Sequence, residues 1–373
     1  MNKLSYAFLL LFLPFIFFGC SKKNEDNSSS QNRTMEVQFN DIPFKTNKFL
    51  RIPYTLKTWE WKKQGLSLRQ IDVVDNDSKT ILATYNTGQF PRIYMDPLPP
   101  STVMTFDKIY NYYFSIQLTI PVEQTPPVKI FNRLVFRDTV NNTDVTVEGG
   151  EITPRYSESP IVIASPVKGT HWMFFNQSTN EYHFNALFFS QGKIGTGERF
   201  AFDNGRLDDD FNLMYAGDPT KNSSYFCFRD TLYAVANGVI LACRDTMVEN
   251  DGNTHDHLEF LAPIDYAGNY MILEMDNGYY ALYAHCSRYS MMIHAGDTVK
   301  EGQPLALLGN SGNSDAPHLH FEIVDAPDFF FGNGQPFVLK KFTKIGEYQN
   351  TTPMTPEDYY DRMMEERTAL SFE

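Results

Sequence analysis

The sequence predicts a mainly β protein, and three observations carry that prediction. Aromatic residues make up 15% of the 373 positions, with 31 Phe and 21 Tyr, a composition that suits pleated, half-buried strands. Short apolar-polar alternations recur between clusters of Gly, Pro, Asn and Asp. Long stretches of helical periodicity are scarce. The length leaves room for two domains. A net charge of -13 argues against non-specific binding to nucleic acid.

In chain order, residues 1–19 read as an export signal. Lys3 supplies the positive start, and residues 4–18 are almost wholly apolar. About 15 apolar residues is short for a membrane span and right for a signal core. Phe17-Phe18-Gly19-Cys20 resembles a bacterial lipobox, which implies lipidation of Cys20 and an exported chain anchored to a bacterial membrane, on its periplasmic face or at the cell surface. A simple secretory signal or a single anchor helix is the alternative. Residues 20–35 are polar, lack core formers and read as a flexible tether.

Residues 36–158 carry short β-like runs, among them F-L-R-I-P-Y-T-L, Y-Y-F-S-I-Q-L-T-I and D-V-T-V-E, with turn signals between them. Strands at that spacing suggest an immunoglobulin-like β-sandwich, a spacer or binding module. No histidine lies in it. A Gly-, Ser- and Pro-rich stretch at 150–168 marks a boundary, and all eight histidines follow, from His171 to His320. The chemistry is therefore expected in a second domain, 159–342.

Within that domain, residues 231–243 read as strand, Asn237-Gly238 turn and strand, because Asn-Gly tolerates positive φ at both central positions of a tight hairpin. In G-Y-Y-A-L-Y-A-H, alternation places Tyr279, Ala281, Tyr283 and His285 on one face. In P-H-L-H-F-E-I, it puts His318 and His320 on one face, about 7 Å apart along the strand. Two such imidazoles beside a Gly-rich turn could form half a metal site, although a bare H-x-H is more often a pair of surface histidines. The tail, 343–373, contains T-P-E-D-Y-Y-D-R-M-M-E-E-R, read as a helix with Thr355 as N-cap, Pro356 at the first position and acids in the first turn.

Four segments together change the weight of H-x-H. They are Y-A-V-A-N-G-V-I, G-Y-Y-A-L-Y-A-H, G-D-T-V-K-E-G-Q-P-L-A-L-L-G-N-S-G-N-S and P-H-L-H-F-E-I. In order, spacing and identity they resemble the lysostaphin and LytM family of zinc metallopeptidases, which cleave peptide cross-links in bacterial cell walls. The resemblance spans residues 180–340 and leaves the sandwich and tail outside. It implies a LytM-type antiparallel β-sheet peptidase domain. It also implies Zn2+ bound by a histidine, an aspartate and the second histidine of H-x-H. The last two map to Asp203 and His320. Where most of the family has the first histidine, this chain has Arg199. A branch with an upstream histidine before A-L fits His183, in H-F-N-A-L, with His171 as the fallback. The family's two further catalytic histidines map to His285 and His318, one to take a proton from water and the other to hydrogen-bond the developing oxyanion. Their division of labour stays open. Zinc suits such a set because catalytic zinc keeps three protein ligands and one open position. No H-E-x-x-H helix offers a glutamate base.

The resemblance thus implies a zinc endopeptidase acting on stem or cross-link peptides of peptidoglycan, with no protein partner assigned. Two other readings compete: an inactive LytM-like scaffold that activates other wall hydrolases, and a surface lipoprotein binding glycan or peptide through its sandwich. G-D-T-V-K-E-G-Q also looks like a carrier-domain hairpin, but no lysine lies between Gly302 and Phe337 to be modified. His255 and His257 fall in a loop-like insertion, and His294 takes no role. Cys227 and Cys243 are the better placed pair for a disulfide in an oxidising compartment, with separate buried thiols as the alternative.

Overall fold

The computed structural model describes residues 33–87, 112–177, 181–190, 193–254 and 263–373. The export signal, Cys20, His255 and His257 lie outside them. Arg33–Glu373 form one compact unit.

The first eight strands make two four-stranded antiparallel sheets. One contains β1 (Met35–Asn40), β2 (Phe44–Lys45), β3 (Phe49–Thr58) and β6 (Tyr113–Pro121), with β3 central. The other runs β5 (Ile81–Asn86), β4 (Leu66–Asp75), β7 (Ile130–Asp138), β8 (Thr143–Ile152). Alternate residues of both sheets share one core: Ile52, Leu56 and Ile116 from the first, Ile71, Leu134 and Phe136 from the second. Each such side chain contributes about 1.5–3 kcal/mol by leaving water. Tyr54 crosses between the sheets and donates a 2.8 Å hydrogen bond to Asn132 Oδ1.

The rest of the chain builds a larger sheet. Its path is β18 (Thr298–Val299), β15 (Gly238–Arg244), β16 (Asn269–Met275), β17 (Tyr280–Cys286), β20 (Leu319–Val324), β13 (Phe202–Arg206), β10 (Gly169–Phe175), β23 (Thr368–Phe372), β21 (Phe337–Glu347), β22 (Glu357–Arg362). β9 (Ile161–Ile163) pairs in parallel with β21. Two short ribbons, β11 (Phe188–Ser190) with β12 (Lys193–Gly195) and β14 (Thr231–Tyr233) with β19 (Pro304–Leu307), form separate two-stranded sheets. Leu319, Phe321 and Ile323 of β20 bury one sheet face together with Phe174, Phe202 and Tyr283.

Three local expectations fail, each for a nonlocal reason. The tail is not helical: β22 and β23 are strands, and β23 lies between β10 and β21. Pairing with β21, stacking of Tyr359 on Phe342 (centroids 5.4 Å apart) and full burial of Met363 and Met364 override the local cap signals. Asp361 sits at φ 51°, outside the right-handed helical region. Asn237-Gly238 does not close a hairpin, since β14 pairs with β19 while β15 pairs with β16 and β18. Gly238 is there for close approach: a Cβ would lie 2.1 Å from the Glu274 carbonyl oxygen. Finally, His285 leaves the face of Ala281 and Tyr283. Between the pairs Met271↔Tyr283 and Asn269↔Cys286, three steps along β17 oppose two along β16. That is a bulge, and His285 occupies it at φ 62°. The bulge turns the imidazole to the opposite face from Tyr283, where the site lies.

Candidate metal centre

Adjacent strands bring two distant residues together. β13 and β20 are antiparallel, with Asp203 directly opposite His320, so the two side chains share a face. His320 Nδ1 donates to Asp203 Oδ1 over 3.0 Å. The third member comes from α1 (Glu181–Phe184), a single turn that places His183 Nε2 3.7 Å from Asp203 Oδ2. All three side chains are buried, and each offers a donor atom within 4.8 Å of the other two. Asn176, just past β10, donates from Nδ2 to Asp203 Oδ2 over 2.9 Å and fixes the carboxylate.

The local charges follow from this crowding. Burial alone would raise the Asp203 carboxyl, but His183, His318 and His320 outweigh it and hold it well below the usual carboxylate range. Burial pushes the His183 imidazole down to about 4, against the pull of Asp203, so the ring is neutral at physiological pH with its lone pair available. Burial also opposes a charged His320, yet hydrogen bonds to Asp203 and Glu322 win and raise it well above the usual histidine value. Glu322 is fully buried two residues along β20, its carboxylate 3.5 Å from His320 Nε2. Burial raises its own carboxyl.

Two more imidazoles face the same cleft. His285 Nδ1 is 2.7 Å from the Ser311 carbonyl oxygen, and His318 Nδ1 is 2.8 Å from that of Ala316. A carbonyl oxygen only accepts, so both Nδ1 atoms carry a proton, and in the neutral form of either ring the lone pair sits on Nε2. His318 Nε2 lies 3.6 Å from Asp203 Oδ1. The His285 and His318 ring centroids are 4.7 Å apart. Burial first, then the neighbouring His318 and His320, pushes His285 well below the usual histidine range. These groups open onto a cleft of about 500 Å³ with walls that include Phe175, Tyr182, Tyr266 and Phe330.

The residues anticipated from the sequence thus converge: His183, Asp203 and His320 as one group, with His285 and His318 beside it. Arg199 does not join them. It is fully buried, and its guanidinium pairs with Asp41 at 2.8 Å. His171 is also elsewhere, its ring tilted against Phe211 and 3.9 Å from Asp209. His294 is exposed beside Asp297. Cys227, Cys243 and Cys286 are free thiols. The Cys227 thiol is buried and donates to the Pro317 carbonyl. Sequence reasoning missed Glu322, Asn176 and the Ser311 carbonyl. Glu322 had a readable signal, being the next residue on the stripe of His318 and His320. Asn176 had none.

The donor set fits a divalent zinc ion. Two imidazole nitrogens and one carboxylate oxygen converge, no lysine or arginine is among the described residues lining the cleft, and a carboxylate backs His320.

Parts of the chain are similar to known proteins. The model of Peptidase family M23 matches residues 229–336, a span that holds His285, His318 and His320 but not His183 or Asp203. Peptidoglycan DD-endopeptidase ShyB of Vibrio cholerae is 41% identical over 59 residues, 16% of this chain and 13% of that protein. An uncharacterized metalloprotease of Haemophilus influenzae is 45% identical over 56 residues, 15% of this chain and 11% of that protein. The chain therefore matches well under two thirds of either relative's length. The catalytic domain of lysostaphin from Staphylococcus simulans aligns at 22% identity with a TM-score of 0.22, covering 33% of this chain and 85% of that domain. The chain thus carries, at residues 229–336, a segment that matches Peptidase family M23.

Proposed function

We propose that the protein is a zinc-dependent endopeptidase that hydrolyses amide bonds in the stem or cross-link peptides of peptidoglycan. The observation that carries the proposal is the buried group His183, Asp203 and His320, with donor atoms within 4.8 Å of one another, beside two imidazoles whose Nε2 lone pairs are free for proton transfer. The Vibrio cholerae relative named a peptidoglycan DD-endopeptidase supports the choice of substrate. Export and anchoring through Cys20 would keep the enzyme beside its polymer.

His183 Nε2, an Asp203 oxygen and His320 Nδ1 would hold the ion, with Glu322 taking the His320 Nε2 proton. Bound zinc supplies Lewis acidity, polarising the scissile carbonyl and lowering the pKa of a water to about 7. His285 and His318 do the proton work. With Nδ1–H committed to Ser311 or Ala316, a neutral ring receives a proton only at Nε2. That nitrogen then becomes a donor, able to hydrogen-bond the oxyanion or return the proton to the leaving amine. Asn176 keeps Asp203 from rotating.

The test is muropeptide analysis of walls of several chemotypes treated with purified protein. Cleavage of peptide bridges that stops with chelator and returns with Zn2+ is the expected result. Unchanged cross-linking with zinc present in every chemotype would overturn the proposal.

A further inference from the structure

His183 stands on one helical turn, and a turn of four residues does not hold itself in water. Its position must come from packing, and the packing leads to the N-terminal sheets. Leu187, just after α1, is buried in the core those sheets share, and Ile194 packs against it. Phe44 of β2 meets Phe200 edge-on at 5.9 Å, and Phe200 meets Phe184 at 6.3 Å. Arg199 ties these contacts together. Its Nε is 2.8 Å from Asp41 Oδ2, its Nη1 donates to Thr55 Oγ1 over 2.6 Å, and its guanidinium lies 4.5 Å above the Phe184 ring. Asp41 and Thr55 belong to the N-terminal sheets and their connections, while Phe184 is the neighbour of His183.

We propose that Arg199 is a positioning residue: it clamps the segment between His183 and Asp203 onto the N-terminal sheets, which thereby become part of the metal site. The geometry explains how a chain with arginine in place of the usual histidine still completes the donor set. The ligand comes from α1, and the arginine turns away from the ion to hold α1 in place. This inference rests on the zinc reading given above.

The test measures Zn2+ affinity of the full chain by chelator competition, with Co2+ spectra reporting the number of ligands. The double variant Arg199→Met/Asp41→Leu removes both buried charges at once, so that neither is left unpaired. With folding verified by circular dichroism and thermal melting, its Zn2+ affinity is expected to fall at least tenfold, with the Co2+ visible band altered as in His183→Ala. Adding His183→Ala to the double variant should bring the affinity to that of His183→Ala alone and no lower, because both act through one ligand. A folded double variant with wild-type affinity, or losses that add fully, would overturn the inference. Should that variant not fold, Arg199→Lys keeps the charge and loses the planar fork. A three- to tenfold loss is then expected, and unchanged affinity overturns the idea. A wild-type chain that takes up no Zn2+ overturns both this inference and the proposed function, whereas wild-type binding matched by the variants overturns this one alone.

Discussion

Replacing Glu322 with Gln tests whether the buried carboxylate tunes the metal site or merely fills space. Glu322 is fully buried, and its carboxylate lies 3.5 Å from His320 Nε2. Glutamine has nearly the same shape, and its amide oxygen can still accept the Nε2 proton. The change therefore removes a charge and leaves the packing. Carboxylates behind a metal-bound histidine are generally worth 10- to 100-fold in affinity, or about 1.4–2.8 kcal/mol at about 1.4 kcal/mol per decade. Zn2+ affinity of the Gln variant is expected to fall within that range in chelator competition. Thermal stability of the metal-free protein should not fall with it, since the variant removes a charge that burial already disfavours. A change in affinity below threefold would refute the assignment of Glu322 to His320. A large loss of metal-free stability would show instead that the carboxylate holds the sheet together.

Other outcomes follow from the same geometry. Asp203→Ala, His183→Ala and His320→Ala should each abolish stoichiometric zinc, measured by elemental analysis after dialysis, because each removes one of three buried donors. His285→Ala and His318→Ala should retain zinc but lose about 10²- to 10⁴-fold in turnover, the usual contribution of a positioned acid or base. Saturation with Zn2+ at 100 times Kd should stabilise the fold by about 2.7 kcal/mol, read as a shift in Tm that chelator reverses. Leu370→Ala, fully buried on β23, should cost about 2–5 kcal/mol in denaturant unfolding. A terminal helix packed loosely on the surface would lose far less.

What could be read from the sequence divides by the range of the forces involved. The stripe of His318 and His320 is a local fact, because alternation along one strand fixes which side chains share a face, and the structure keeps it. Asp203 opposite His320 is a fact of strand pairing between segments far apart in sequence. No local pattern contains that register, so only resemblance to a family pointed to it. His285 shows how a local rule breaks. Alternation puts it with Tyr283, and the bulge at φ 62° puts it with His318 instead. A non-glycine residue held in the left-handed region costs of order 1–3 kcal/mol, and such strain persists only where the surroundings over-determine it. Here the Ser311 carbonyl, 2.7 Å from Nδ1, and the pairing of Cys286 with Leu308 hold the turn on either side.

The tail carries the same lesson to the support of the site. Thr355, Pro356 and the acids after them are sound helix signals by themselves, and they lose to a vacancy in a sheet. β10 carries Asn176 at its end and needs a partner on the edge away from β13. β23 provides it, pairing Trp172 with Leu370 and Met173 with Ala369. From the approach to that strand, Glu366 accepts the backbone N–H of Asn176 over 3.2 Å, and the Arg367 N–H reaches the Phe174 carbonyl over 3.0 Å. The grip on Asp203 therefore runs through Asn176 to the last strand. Glu366→Gln should loosen it without unfolding the sheet, lowering Zn2+ affinity by less than Asn176→Ala does. Equal affinities in Glu366→Gln and the wild type, with Asn176→Ala impaired, would show that Asn176 is held by β10 alone.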